Sequence, residues 1–321
     1  PPRETVMTQN VPSTTREIEY IESKAGRPLF RVRAERALAT REGLNELERV
    51  QAVYYGKAGD REDAISADRC FYSVTENRVR FEGHVRLRTA QGYNLETSDL
   101  RYDKASESAA GDGPFHLSAP GLAGQGRSFQ LDLKRRELVI PSRITLHYDL
   151  GASPDADPEM LRERFLDLEA DRARIAEREH RVRLEGGVSL RTGLSNLDGQ
   201  TAELLMTDKR EVRSALCQGS ARFERTEKGQ RIGLAGETIE FVLRPGERTT
   251  LEEVRAENSA SLTTGDGTLT AQAIRIVALP EGSIARVLAS GGARFQAAGA
   301  DRGVQGEKLT IETPLYHAVI N

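Results

Sequence analysis

Apolar and polar positions alternate without a break along residues 78–89, RVRFEGHVRLRT. Val79, Phe81, Gly83, Val85 and Leu87 fall on one side, and Arg78, Arg80, Glu82, His84, Arg86 and Arg88 on the other. A period of two with a clean polar face predicts a half-buried β-strand. The glycine in mid-strand lets such a strand bend or take another backbone close. Residues 181–192, RVRLEGGVSLRT, repeat the element, and Ala-Asp-Arg leads each copy, at 67–69 and at 170–172. Aligning on the central glycine brings out further strands centred on Gly113, Ser142, Gly186, Gly219, Asn258 and Gly291, most with apolar residues two positions to either side. One such strand every ~30–40 residues is the mark of a repetitive β-architecture.

Between these strands lie second, shorter β-patterns at 69–73, 100–103, 128–133, 238–243 and 273–277. Turn signals separate the two kinds, at Glu76-Asn77, from Lys104 to Glu107, at Pro245-Gly246 and at Pro280-Glu281-Gly282. Each repeat therefore reads as a hairpin, and the chain as an all-β protein. A polar, proline-bearing run at 151–158 interrupts the series. It precedes 159–168, where a short helix is expected, with Asp157 as its cap and Pro158 in its first position. The expected organisation is a module over 1–150, a linker over 151–163 and a second module over 164–321.

The inner face mixes Val, Leu, Ile and Phe with many Ala and Gly, and the copies around Gly219 and Gly291 are small-sided. Two readings follow. Small residues let two stacked sheets close tightly, or they leave an apolar trough for a ligand with no hydrogen-bonding demands, such as acyl chains. Periodicity does not choose between them.

Charge narrows the classes. The 321 residues carry a net charge of −3, so no basic excess points to nucleic acid. Charged residues make up 30% of the chain and are interspersed, which reads as solvated faces laced with cross-strand ion pairs. Aromatics are only 5% and Trp is absent, a poor supply for stacking platforms or catalytic pockets. No 18-residue apolar run exists to span a membrane as a helix. The chain begins Pro1-Pro2-Arg3 without a methionine, so it is expected to be a piece of a longer product.

No motif for chemistry emerges. Cys70 and Cys217 form neither a metal spacing nor a CxxC, and read as two small buried thiols. The spacings of His84, His116, His147, His180 and His317 match no metal site. There is no G-x-S-x-G and no Walker A pattern. The run from Gly121 to Gly126 leads into a strand rather than a helix and reads as a turn. The expectation is a protein without catalytic residues, metal or cofactor.

The order of the pieces over the first ~150 residues resembles the LptC family, the periplasmic component of the lipopolysaccharide export machine. Residues 19–32, EYIESKAGRPLFRV, are similar to the family's opening strand, turn and second strand. Residues 67–89 resemble its A-x-x-x-x-Y element followed by an alternating strand centred on glycine. Next, 93–103, YNLETSDLRYD, resemble its l-x-T-x-x-L-x-Y-d piece, and 124–133, GQGRSFQLDL, its G-x-G-x-x-x-d piece. Phe30 stands where the family has a tryptophan-like position. Residues 164–321 resemble the sister LptA or OstA-like repeats through the glycine-centred hairpins. Two modules in one chain depart from the single module of the inner-membrane component.

The resemblance implies an antiparallel, V-shaped OstA-like β-jellyroll, two modules long. It implies a non-enzymatic bridge component in the periplasm, held to the inner membrane by a segment preceding Pro1. Its partners would be lipopolysaccharide, through the lipid A acyl chains, the inner-membrane ABC transporter that supplies the energy, and further β-jellyroll modules joined by edge-strand addition. The residues expected to line the lipid groove are Val79, Phe81, Val85, Leu87, Phe115, Leu184, Val188, Leu190 and Phe223. The competing reading is a repetitive β-scaffold or surface adhesin with a dry core and no lipid.

Overall fold

The computed structural model describes residues 14–312 and 317–320, apart from 25, 40–43, 56–61, 74–77, 91, 104, 150–164, 209–210, 228, 246–249, 281–282 and 300–302. The expected linker at 151–163 and most of the expected turn residues (76–77, 104, 246, 281–282) lie outside the described residues. The chain forms two compact units, Pro1–Lys134 and Arg135–Asn321.

The first unit holds β1 (Thr14–Lys24), β2 (Arg27–Ala39), β3 (Leu44–Tyr54), β4 (Asp63–Ser73), β5 (Arg78–Arg88), β6 (Asn94–Asp103), β7 (Ser108–Gly111), β8 (Phe115–Ala119), β9 (Leu122–Gly126) and β10 (Phe129–Asp132). Every pairing is antiparallel. β1 to β6 pair in chain order. β6 then pairs with β7 along one half of its length and with β8 along the other, while β7 pairs with β10 and β8 with β9.

The second unit holds β11 (Glu137–Ile140), β12 (Ile144–Asp149), β13 (Phe165–Ala170), β14 (Arg172–Ala176), β15 (Arg181–Arg191), β16 (Ser195–Met206), β17 (Val212–Glu227), β18 (Gln230–Arg244), β19 (Thr250–Thr264), β20 (Gly267–Ala278), β21 (Ile284–Ala297), β22 (Val304–Glu312) and β23 (His317–Ile320). A 3-10 turn, Glu177–Glu179, connects β14 to β15. β11 pairs with β14 and β12 with β13. β15 pairs with both β13 and β14, and β15 to β23 follow in chain order. The all-antiparallel β class read from the alternation is borne out.

Four local expectations are corrected. Residues 165–168, the described part of the expected helix, are strand and lie in β13. Alternation of apolar Leu166 and Leu168 with acidic Asp167 and Glu169 suits a ladder better than a helix. Only Gly121 of the Gly121–Gly126 run turns, at φ +71°, and the rest is β9. Gly113 and Ser142 are not strand centres but lie in breaks, between β7 and β8 and between β11 and β12. The second strand of each hairpin is also longer than its alternation suggested. β18, for example, runs through 15 residues rather than the six of 238–243.

The last correction exposes the rule of the fold. On β5, β15, β17, β19 and β21 the ladder slips by one residue at the repeat centre. Two neighbouring residues at each slip sit in left-handed backbone: Gly83–His84, Gly186–Gly187, Gly219–Ser220, Asn258–Ser259 and Gly291–Gly292. These are β-bulges, which bend the strand that carries them. The intervening strands answer with a break in parity. Leu95 and Thr97 face the same side as Leu100 and Tyr102, because their ladder partners, Leu87 and Val85 on one side of the slip and Phe81 and Val79 on the other, share one face. Leu269, Ala271, Ile274 and Ile276 repeat the spacing on β20.

The bulges fall in register on neighbouring strands, so each unit bends along one line. In the first unit the line runs through Arg49, which lies opposite Asp68 between consecutive ladder partners, and on through Gly83–His84. In the second it runs from Asp171 through every bulge to Gly291–Gly292. The line is packed as well as bent. A Cβ on Gly186 would meet the Asp171 side chain at 2.5–3.0 Å, and the side chains of Gln200 and Gln272 stand in the same way over Gly219 and Gly291. His84 Nδ1 lies 2.7 Å from Asp68 Oδ2, and Gln272 Nε2 donates to Asn258 Oδ1 at 3.1 Å.

Candidate functional site

The bend places the two arms of each strand face to face. Phe241 lies opposite Ala215 in the ladder, on one arm of β17, and Phe223 lies eight residues further along, on the other. A straight strand would hold those positions ~26 Å apart. The Phe223 and Phe241 rings nevertheless meet edge to face with centroids 5.1 Å apart. β17 and β18 therefore fold back, and their inner faces oppose each other as two layers. In the first unit, Tyr54 and Tyr102 stand on opposite arms. Burial pushes the Tyr102 phenol up, with smaller contributions from the charges of Glu107, Tyr54 and Asp103.

All nine sequence-predicted lining residues lie on these inner faces. Phe81, Val85, Phe115, Leu184, Val188 and Leu190 are buried, whereas Val79, Leu87 and Phe223 are half-buried. Their ladder partners were missed: Leu100 opposite Phe81, Leu197 opposite Leu190, and Leu234 opposite Phe223 belong to the same surface. The signal was present as apolar residues spaced two, then three, then two apart. Strict alternation does not detect it.

Burial follows a gradient. Beside the bend, Leu184, Val188, Cys217, Ala221, Ala256 and Ala293 are at most 1% exposed. At some strand ends the same inner face is more open, with Tyr54 40% and Val304 39% exposed, whereas on β20 it stays buried from Leu269 to Ala278. Each unit is thus folded over a dry, closed seam. In the second unit the seam is set by alanines, which let the two arms approach closely. Both cysteines are free and buried on this inner surface, and burial pushes the Cys70 thiol to about 12 and Cys217 to about 11.

The opposite face is charged and paired across strands, as the alternation implied. Arg69 meets Glu82 at 3.1 Å, Arg86 meets Glu96 at 3.3 Å and Arg78 meets Asp103 at 3.4 Å. Glu253 is the buried exception. Arg275 donates to both of its oxygens at 2.6 Å and Arg255 donates to one of them, which holds its carboxyl below the usual carboxylate range. Such a surface solvates the outside of each unit. The inner surface can remove hydrocarbon from water at ~0.8 kcal/mol per methylene.

Residues 1–149 match the family described as "Lipopolysaccharide-assembly, LptC-related". This bears out the resemblance of the first module read from its motifs. Among solved structures the chain is similar to LptH, the LptA homologous periplasmic component of the conserved lipopolysaccharide transport device from Pseudomonas aeruginosa. The identity is 16%, over 49% of this chain and 94% of that chain, with a TM-score of 0.32. No curated protein matches the chain.

Proposed function

We propose that this chain is a non-enzymatic component of a periplasmic lipopolysaccharide bridge. Its inner faces shield lipid A acyl chains as they pass, and the sugars stay in water. The observation that carries the reading is the continuous apolar inner face along the long strands of both units, closed most tightly beside the bend. The match of residues 1–149 to the LptC-related family supports the same reading. The physical mechanism needs no chemistry on the chain. Several acyl chains cannot cross water unescorted at ~0.8 kcal/mol per exposed methylene, and an apolar wedge offsets that cost along its length.

The reading extends to partners and place. An inner-membrane ABC transporter supplies the work, an N-terminal segment preceding Pro1 tethers the protein, and further β-jellyroll modules join by strand addition. The lining residues are Val79, Phe81, Val85, Leu87 and Phe115 in the first unit, and Leu184, Val188, Leu190 and Phe223 in the second. Each of the two compact units gives its own stretch of the path.

Site-specific photocrosslinking in cells tests this, with probes at Phe81 and Leu190 and a control at outward-facing Arg80. Lipopolysaccharide adducts at the first two and none at the third are expected. No adducts at any position, with the protein folded and expressed, would sink the reading in favour of a dry scaffold. Adducts at Phe81 alone would restrict lipid carriage to the first unit.

A further inference from the structure

The apolar inner face of the second unit is interrupted by one charge. On one arm of β17 the positions leading away from the bulge are Ala221, Phe223 and Arg225, in alternation with Arg222, Glu224 and Thr226. Arg225 therefore lies on the same side as Phe223, and it is half-buried where Arg222 and Glu224 are exposed. Its ladder neighbours are Ser195 on β16 and Ile232 on β18, one row beyond Leu197 and Leu234. On the other arm the third row from the bend is apolar, with Met206, Val212 and Leu243. Within three rows of the bend, Arg225 is the one charged side chain among the described inner-facing residues of β15 to β22.

A guanidinium in this place loses hydration to its apolar neighbours, and a leucine there would extend the row without that cost. Arg225 Nη1 donates to Ser195 Oγ at 3.2 Å, so a neutral hydroxyl orients the fork. The aliphatic stem can follow Phe223 while the charged head reaches the end of the row. An amphiphile whose chain lies along Phe223, Leu197 and Leu234 brings its polar end to this guanidinium. Guanidinium forks match phosphate oxygens in geometry and charge. The ends of the inner rows in the first unit carry the opposite sign, with Glu22 opposite Phe30 and Asp63 opposite Tyr54.

We propose that Arg225 is a specificity determinant that holds the phosphate of a phosphorylated glycolipid. The second unit thereby distinguishes a phosphorylated lipid from the same lipid without phosphate, and the acyl chains themselves meet only uncharged residues. This assignment rests on the reading of the inner face as a lipid path.

Equilibrium binding of the whole protein to bis-phosphorylated lipid A and to its fully dephosphorylated form, in the same detergent, tests it. The wild type is expected to prefer the phosphorylated lipid about fivefold, the effect of a charge-assisted hydrogen bond partly screened by solvent. Arg225→Gln should bind the two lipids equally, Arg225→Lys should keep part of the preference, and Arg222→Gln on the outer face should keep all of it. A preference retained by folded Arg225→Gln, or lost to the same extent in Arg222→Gln, overturns the proposal. Should Arg225→Gln melt early, Ser195→Asp takes its place, because it sets a carboxylate against the guanidinium, with Ser195→Asn as the neutral reference. A preference unchanged in Ser195→Asp overturns the proposal. Equal binding of both lipids by the wild type overturns the role of Arg225 and leaves the lipid path standing, whereas binding of neither lipid overturns both. Displacement of lipid A by an equal concentration of phosphatidylglycerol overturns the assignment to a glycolipid.

Discussion

Replacing Gly186 with alanine tests the origin of the bend. Gly186 has φ +78°, and a Cβ there would lie 2.5 Å from Asp171 Oδ2 and 2.8 Å from Asp171 Cβ. Its neighbour Gly187 has φ +55° and nothing within 4 Å of its Cβ. Both substitutions incur the left-handed penalty of an L-residue, ~1–2 kcal/mol. Gly186→Ala adds the displacement of a packed side chain, ~1–3 kcal/mol by analogy with overpacking. At ~2–4 °C per kcal/mol for a unit of this size, Gly186→Ala should melt ~2–12 °C below Gly187→Ala. Thermal melting followed by far-UV circular dichroism reads the difference. Asp171→Gly in the Gly186→Ala background removes the obstructing Cβ and carboxylate while keeping the backbone bond from Asp171 N to Gly186 O, 2.9 Å. It should restore ~1–2 kcal/mol in a double-mutant cycle. Equal melting of the two alanine variants, or no recovery with Asp171→Gly, would refute the packed-bulge account.

Three further outcomes are expected. Glu253→Gln should cost ~1–3 kcal/mol near neutral pH, a range lowered because Arg255 and Arg275 are about half exposed. Since the folded carboxyl is held down by Arg275 and Arg255, its contribution is present above the unfolded value of ~4.3 and is lost as pH falls through the folded one. The gap between wild type and variant should therefore close in acid, and a gap independent of pH would contradict the charge clamp. Cys70 and Cys217, pushed to about 12 and about 11 by burial, should resist a thiol reagent at pH 8 in the folded protein and react together in urea; rapid labelling of the native protein would argue against a sealed seam. Phe81→Asp should either unfold the first unit or leave it folded and unable to pass lipid, and a folded variant with normal lipid transfer would remove Phe81 from the lining.

The sequence determined which face of each strand meets water. Alternation is a local property of an extended chain, so Val79, Phe81, Val85 and Leu87 could be assigned to one side, and the arginines to the other, without knowing any partner. The repeated glycine also marked where each strand departs from regularity, because a left-handed residue under a neighbouring side chain tolerates little else. The ion-paired outer surface followed from Arg and Glu alternating on the polar side. What these marks did was decided by the tertiary structure. A bulge is defined by two residues facing one across a ladder, and only the pairing shows that Gly83, Gly186, Gly219, Asn258 and Gly291 fall in line on successive strands. That alignment turns isolated kinks into a common bend, brings Phe223 against Phe241 and sets the parity break on the intervening strands. The clamp of Arg255 and Arg275 on Glu253 was equally invisible in one dimension, because which charges meet across neighbouring strands is settled only after the strands have paired.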